Sequence, residues 1–250
     1  MLVDQMFSRK PQLPVSPEQQ EWIEKSFVFL TELFGEEWIR NAPLVLPSEK
    51  FFPKKWEATE AWASFAFDRV CELMKVHRER VELHFVPAQW VKLPQTSVQV
   101  GPMADAAGLY REVGNHESQK KAQIVIKGSK FGEPERMVAV MSHELAHVLL
   151  LGDGKIERDF ERMEPLTDLM TVFSGFGVFT ANAAHVHKSS SRGWSVSRTG
   201  YLSPREFGYA LAVFAWIRGE HKPTWDKDLS RNVRTFMGEA LAHFKASKRA

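Results

Sequence analysis

The strongest constraint on the fold of this chain is a predicted helix in which polar side chains interrupt an apolar pattern. Residues 134–151 begin with proline, end before Gly152 and are mostly aliphatic, which predicts a buried helix. Within it, His143 and His147 are four residues apart, and Glu144 follows the first of them. Residues at this spacing project from the same helix face, about one turn apart. Because burying such groups costs free energy, the sequence predicts that they have partners.

The spacing of the two histidines suits a metal ion. Two imidazole nitrogens on one helix face can converge on one Zn²⁺, and the carboxylate beside them can reach a water on the metal. Zinc lowers the pKa of that water towards 7, so that Glu144 can accept its proton. The alternative is a pair of core histidines satisfied by hydrogen bonds. We predict His143 and His147 as zinc ligands and Glu144 as the general base.

A catalytic zinc site usually has three protein ligands and one open position. Glu164 is the leading candidate for the third ligand, because it opens the next predicted helix and Pro165 favours a helix start beside it. Asp153 is a rival, although its place between two glycines is more simply that of a turn residue. Three further acidic residues are alternative third ligands: Glu157, Asp159 and Glu161. A solvated, charged surface also accounts for their presence.

Two short stretches together resemble a known family. His143-Glu144-Leu145-Ala146-His147, followed by Glu164-Pro165-Leu166-Thr167-Asp168, is similar to the H-E-x-x-H and E-x-x-[ST]-D pattern of gluzincin metallopeptidases, the thermolysin-like clan. The resemblance is confined to residues 143–168. It implies a zincin-like fold, His143, His147 and Glu164 as zinc ligands, Glu144 as general base, and Asp168 as the acceptor that orients His143. Helix-dipole complementation is the alternative role for Asp168.

The expected function is a zinc-dependent hydrolase, a metallopeptidase that acts on a peptide or protein substrate. Strand 122–126 precedes the metal helix and is expected to form a sheet edge that pairs with an extended peptide. The alternative is a zinc-containing regulatory or binding protein with a zincin fold and little or no peptidase activity. Six residues are candidates by type for stabilising an oxyanion, although structural roles account for each of them: His185, His187, Arg192, Tyr201, Arg205 and Tyr209.

Hydrophobic periodicity predicts a helix-rich α+β chain with a small mixed sheet before the metal helix. The chain is interpreted as one domain over 1–250, with a helical part at 1–80, the metal-site core at 81–220 and a C-terminal helix at 221–250. Helices are predicted over 17–34, 57–78, 134–151, 165–184 and 226–246, and another from Pro204. Strands are predicted over 81–86 and 122–126, with a short one starting near Gly108, and a loop, a candidate lid, over 188–200.

Composition excludes several other classes of function. A net charge of +2 is too small and dispersed to indicate nucleic acid binding. The most membrane-like stretch, 169–186, contains polar residues and is predicted as a buried helix, not a membrane span. The lone Cys71 is expected to be buried, and the absence of a secretory signal and of a cysteine pair favours the cytoplasm. Nothing in the sequence indicates an oligomeric state.

Overall fold

The computed structural model describes residues 13–86, 108–113, 121–127, 132–190, 193–198 and 201–247. Within these segments the helices are α1 (Pro17–Phe34), α2 (Glu36–Asn41), α3 (Glu60–Leu73), α4 (Pro134–Leu151), α5 (Met163–Phe173), α6 (Gly177–Ala183), α7 (Pro204–Ile217) and α8 (Arg231–Ser247). The strands are β1 (Val81–Val86), β2 (Gly108–Val113), β3 (Lys121–Lys127), β4 (His185–Ser190) and β5 (Gly193–Arg198). The predicted helix-rich α+β class is confirmed.

The three strands before α4 form a small mixed sheet in the order β1-β3-β2. Strand β3 runs parallel to β1, with Ala122 opposite Val81, and antiparallel to β2, with Ile126 opposite Gly108. The predicted mixed sheet is therefore present. The expectation that strand 122–126 forms a sheet edge is wrong, because β1 and β2 occupy both of its sides.

Two helices begin where the sequence predicts, for a local reason. Ser16 accepts the backbone N–H of Gln19, and the Gln19 side chain accepts the backbone N–H of Ser16 in return. Ser203 and Glu206 make the same reciprocal pair at the start of α7. These capping boxes satisfy backbone donors that the first helical turn leaves without partners, so short sequence patterns are enough to place both starts.

The helix predicted over 57–78 is shorter, because local backbone geometry sets both of its ends. Thr59 caps the start of α3 by accepting the backbone N–H of Trp62. At the other end, Lys75 adopts a left-handed conformation with φ of 58°, which turns the chain towards β1.

The single helix predicted over 165–184 is two helices, α5 and α6, broken at Gly175. This glycine has φ of +87°, and a Cβ placed there would lie 2.0 Å from the carbonyl oxygen of Pro43. The Val45 backbone N–H donates to the Gly175 carbonyl at 3.0 Å, so the 42–56 connection, which lies between α2 and α3, passes directly across the break. A distant segment, rather than the local pattern, thus sets the break.

Two predicted elements in the C-terminal part of the chain differ from those in the structure. Residues 185–190 and 193–198 form the antiparallel strands β4 and β5, with His185 opposite Arg198, instead of a helix end followed by a loop. The last helix begins at Arg231, after a separate 3-10 turn over Thr224–Asp228, instead of at residue 226. Polar and glycine-containing stretches look alike in a loop and in a short hairpin, and composition does not separate the two.

Helix α4 lies at the centre of the fold and packs against α3, α5, α6 and β2. Apolar residues of α1, α3 and α8 belong to the same hydrophobic core cluster as those of α4. Cys71 is buried in it, as predicted, and burial raises the pKa of its thiol to about 12. No helix in the described residues is both long and apolar enough to cross a membrane.

Candidate metal centre

Three potential metal ligands predicted from the sequence come together where α4 meets the start of α5. The carboxylate oxygen Oε2 of Glu164 lies 3.2 Å from Nε2 of His143 and 3.3 Å from Nε2 of His147. One ligand atom from each residue lies within 4.8 Å of the other two. The two imidazole rings are nearly perpendicular, at 83°, so their Nε2 atoms converge without the rings stacking.

The local sequence explains this convergence. His143 and His147 occupy successive turns of α4, on the face that packs against α5. Helix α5 begins at Met163, directly after Arg162 takes a left-handed conformation with φ of 62°. That backbone turn brings Glu164 into the first turn of α5, opposite the two histidines.

The separations of Glu164 from the two histidine nitrogens fit a tetrahedral metal ion. Two ligand atoms bound to zinc at about 2.0–2.2 Å lie about 3.3–3.6 Å apart at tetrahedral angles. The observed Nε2–Oε2 separations of 3.2 and 3.3 Å are close to this value. Two imidazoles and a carboxylate are also a common donor set for catalytic zinc, so these residues fit the ion that the resemblance implies.

The outer nitrogen of His143 is held by a buried carboxylate. Nδ1 of His143 lies 2.9 Å from Oδ1 of Asp168, which is 2% exposed. The other oxygen, Oδ2, accepts the backbone N–H groups of Tyr201 at 2.7 Å and Leu202 at 3.0 Å. The Nδ1–H of His143 donates to this carboxylate, so Nε2 faces Glu164. The geometry agrees with the role that the resemblance implies for Asp168.

The outer nitrogen of His147 has a different partner, which the sequence reasoning missed. Nδ1 of His147 lies 3.3 Å from the hydroxyl of Thr167, which is fully buried. This hydroxyl donates a hydrogen bond to the Met163 carbonyl oxygen at 2.9 Å. The available signal was the spacing: Thr167 follows Glu164 by one helical turn, and so lies on the same face of α5.

Electrostatic interactions within the cluster are strong. Burial by itself would lower the pKa of His143, but hydrogen bonds to Asp168 and Glu164 outweigh it and raise this pKa to about 10 in the metal-free chain. Burial raises the pKa of Glu164, but hydrogen bonds from His143 and His147 outweigh that effect and hold it well below its usual range. Positive charge is therefore favoured at the point where the three side chains meet.

Glu144 is buried beside the two histidines. Its side chain is buried, and this burial raises the pKa of its carboxyl group, although His143 and His147 act in the opposite direction. An ordinary glutamate is too weak a base to be efficient at neutral pH, so a raised pKa makes Glu144 a better one.

The rival third ligands are not part of the cluster of described residues. Glu157, Asp159 and Glu161 are exposed, and none of them joins the group formed by the two histidines and Glu164. The side chain of Asp153 lies outside the described part of the structure. Among the described candidates, Glu164 is the acidic residue that the fold brings to the histidines.

Of the candidates for an oxyanion donor, Tyr201 lies beside the cluster. Its ring stacks on that of His143, with centroids 6.0 Å apart and planes 20° apart, and 46% of the residue is exposed. Burial raises the pKa of its phenol, and the carboxylates of Glu164, Asp168 and Glu144 raise it further. The phenol therefore keeps its proton at neutral pH and is able to donate it in a hydrogen bond.

The other oxyanion candidates have separate partners or lie outside the described residues. Tyr209 is buried and donates its hydroxyl to Glu24 at 2.5 Å. Arg205 donates to the Pro14 carbonyl and lies over the ring of Phe236. Three candidates have side chains that the structure does not describe: His185, His187 and Arg192.

Comparisons with models of known protein families, with curated proteins and with solved structures give no match for this chain.

Proposed function

We propose that this protein is a zinc-dependent hydrolase of the gluzincin type with a zincin-like fold, and that it acts as a metallopeptidase on a peptide or protein substrate. The observation that carries the proposal is the convergence of Nε2 of His143, Nε2 of His147 and Oε2 of Glu164, with Glu144 adjacent. Such a set, with a basic carboxylate beside it, matches the chemistry that peptide hydrolysis needs.

Each residue has a distinct task in this proposal. His143, His147 and Glu164 hold the ion, and zinc, when bound, polarises a carbonyl and makes water more acidic. Glu144 accepts a proton from the attacking water and passes it to the leaving amine, which its raised pKa favours. Tyr201 donates its phenol O–H to the substrate carbonyl oxygen as negative charge develops there.

The test compares two glutamate variants that lie on the same helix. Glu144→Gln removes the proton acceptor, whereas Glu135→Gln changes an exposed residue in the first turn of α4. Metal content is measured after reconstitution with zinc, and cleavage of a mixed peptide library is followed by mass spectrometry. We expect Glu144→Gln to keep one zinc ion per chain but to lose about 10²–10⁴-fold in cleavage rate. Glu135→Gln should match the wild type in zinc content and in cleavage rate.

Three outcomes separate the possibilities. Zinc bound by the wild type, with cleavage that depends on Glu144, supports the metallopeptidase. Stoichiometric zinc without cleavage of any peptide by the wild type contradicts peptidase activity and favours a zinc-containing regulatory or binding protein. If the wild type binds no more zinc than the His143→Ala variant, both the metallopeptidase and the zinc-containing binding protein are contradicted.

A further inference from the structure

The two histidines of the candidate centre have unlike acceptors for their outer nitrogens. Nδ1 of His143 donates to the carboxylate of Asp168, whereas Nδ1 of His147 contacts the hydroxyl of Thr167 at 3.3 Å. Both acceptors come from α5, one helical turn after Glu164. One face of α5 therefore supplies a ligand and the groups that hold the other two ligands.

The hydroxyl of Thr167 offers an acceptor to the outer nitrogen of His147. A threonine hydroxyl has one hydrogen, and here it points to the carbonyl of Met163 at 2.9 Å. The oxygen can then accept a hydrogen bond from the Nδ1–H of His147. Nε2 lies 3.3 Å from Oε2 of Glu164, so it is the nitrogen available to a metal ion when Nδ1 is held by Thr167.

We propose that Thr167 is a positioning residue for metal binding, which fixes the ring orientation and the tautomer of His147. The inference rests on the proposed metal site. Thr167 is fully buried, so water does not compete for its hydroxyl. Because the hydroxyl is neutral, it orients the ring without adding a negative charge to a region that already contains Glu144, Glu164 and Asp168.

The test removes this hydroxyl at constant size. Thr167→Val keeps the shape of the side chain, and Thr167→Ser restores a hydroxyl at the same place. The matched control is Thr180→Val in α6, which also removes a buried hydroxyl, one that contacts Thr171 and backbone carbonyls. Zinc dissociation constants are measured by chelator competition, the visible absorption of the cobalt-substituted protein is recorded, and the metal-free variants are unfolded with urea.

We expect Thr167→Val to bind zinc about 10–100-fold more weakly than the wild type and to show an altered cobalt spectrum. Thr167→Ser should recover most of the affinity and the wild-type spectrum. Thr180→Val should leave both unchanged, even where it lowers the free energy of unfolding as much as Thr167→Val does. If Thr167→Val does not fold, Thr167→Ala removes the same hydroxyl without adding bulk and takes its place.

Two kinds of failure are distinguishable. If the wild type binds zinc and Thr167→Val binds it equally well, the positioning role is wrong and the metal site stands. The same conclusion follows if Thr180→Val weakens binding as much as Thr167→Val. If the wild type itself binds no zinc, the proposed function fails, and the role of Thr167 fails with it.

Discussion

At the scale of single residues, Asp168 connects parts of the chain that are distant in sequence. One of its carboxylate oxygens faces His143 in α4, and the other accepts two backbone N–H groups, from Tyr201 and Leu202. The same side chain thus holds a candidate ligand and the segment that carries the candidate oxyanion donor. A displacement of Asp168 is expected to affect both.

We predict that Asp168→Asn weakens both metal binding and folding. An asparagine amide places its NH₂ group against either the His143 ring N–H or the two backbone N–H groups. Two hydrogen-bond donors then face each other in the protein interior, which is unfavourable. Zinc affinity should fall about 10–100-fold, and the free energy of unfolding of the metal-free protein should fall by about 1–3 kcal/mol. Chelator competition and urea denaturation measure the two effects.

The control for this variant is Asp159→Asn, which changes an exposed aspartate before α5. It should alter the free energy of unfolding by no more than about 0.5 kcal/mol. An Asp168→Asn protein with unchanged zinc affinity would contradict the orienting role of Asp168.

At the scale of elements, helices α7 and α8 approach each other closely at Gly208. A Cβ at this position would lie 2.6 Å from Cβ of Phe236, 2.9 Å from the backbone nitrogen of Met237 and 3.0 Å from the carbonyl oxygen of Val233. Because two of these atoms are backbone, the contact is relieved only if the whole of α8 shifts. Helix α7 follows directly after Tyr201 and Leu202, so this contact anchors the helix beside the candidate site.

We predict that Gly208→Ala lowers the free energy of unfolding by about 1–3 kcal/mol, because the added methyl group overpacks the contact between the two helices. Gly238→Ala in α8 is the matched control, since a Cβ there has no neighbour within 4 Å. It should instead raise the free energy of unfolding by about 0.5–1 kcal/mol, as alanine is a better helix former than glycine. Urea denaturation measures both, and equal effects of the two substitutions would contradict the proposed close contact.

At the scale of the whole molecule, a bound metal ion would join α4 to α5 through three side chains. A ligand that binds only the folded state stabilises that state, by about 2.7 kcal/mol when its free concentration is about 100 times its dissociation constant. For a chain of this length, that corresponds to an increase in melting temperature of about 5–10 °C.

We therefore predict a higher melting temperature in excess zinc than in a chelator, measured by calorimetry or circular dichroism. Glu164→Gln should reduce the difference, because it removes the charged ligand. Glu161→Gln, an exposed neighbour that is also a rival third ligand, should keep the wild-type difference. A loss of the difference in Glu161→Gln but not in Glu164→Gln would contradict the ligand assignment.

Part of this protein follows from its sequence alone because the relevant interactions are local. The starts of α1 and α7 depend on pairs of residues three apart, and the helical periodicity of α4 places His143 and His147 on one face. The mixed sheet and the α+β class also follow from local patterns. Glu164 was predicted from its place at the start of a helix and Asp168 from a short resemblance, and the fold brings both to His143.

The remaining features depend on contacts between residues that are far apart in the chain. Helix α5 ends where the 42–56 connection crosses Gly175, and β3 lies between two strands, one of them from a segment about 40 residues earlier. Likewise, Thr167 meets His147 only because α5 packs on α4. The sequence by itself determined that His143 and His147 share one helix face, since spacing within one helix sets that face. Only the tertiary structure decided which buried group holds each of them, because that depends on how separate helices pack.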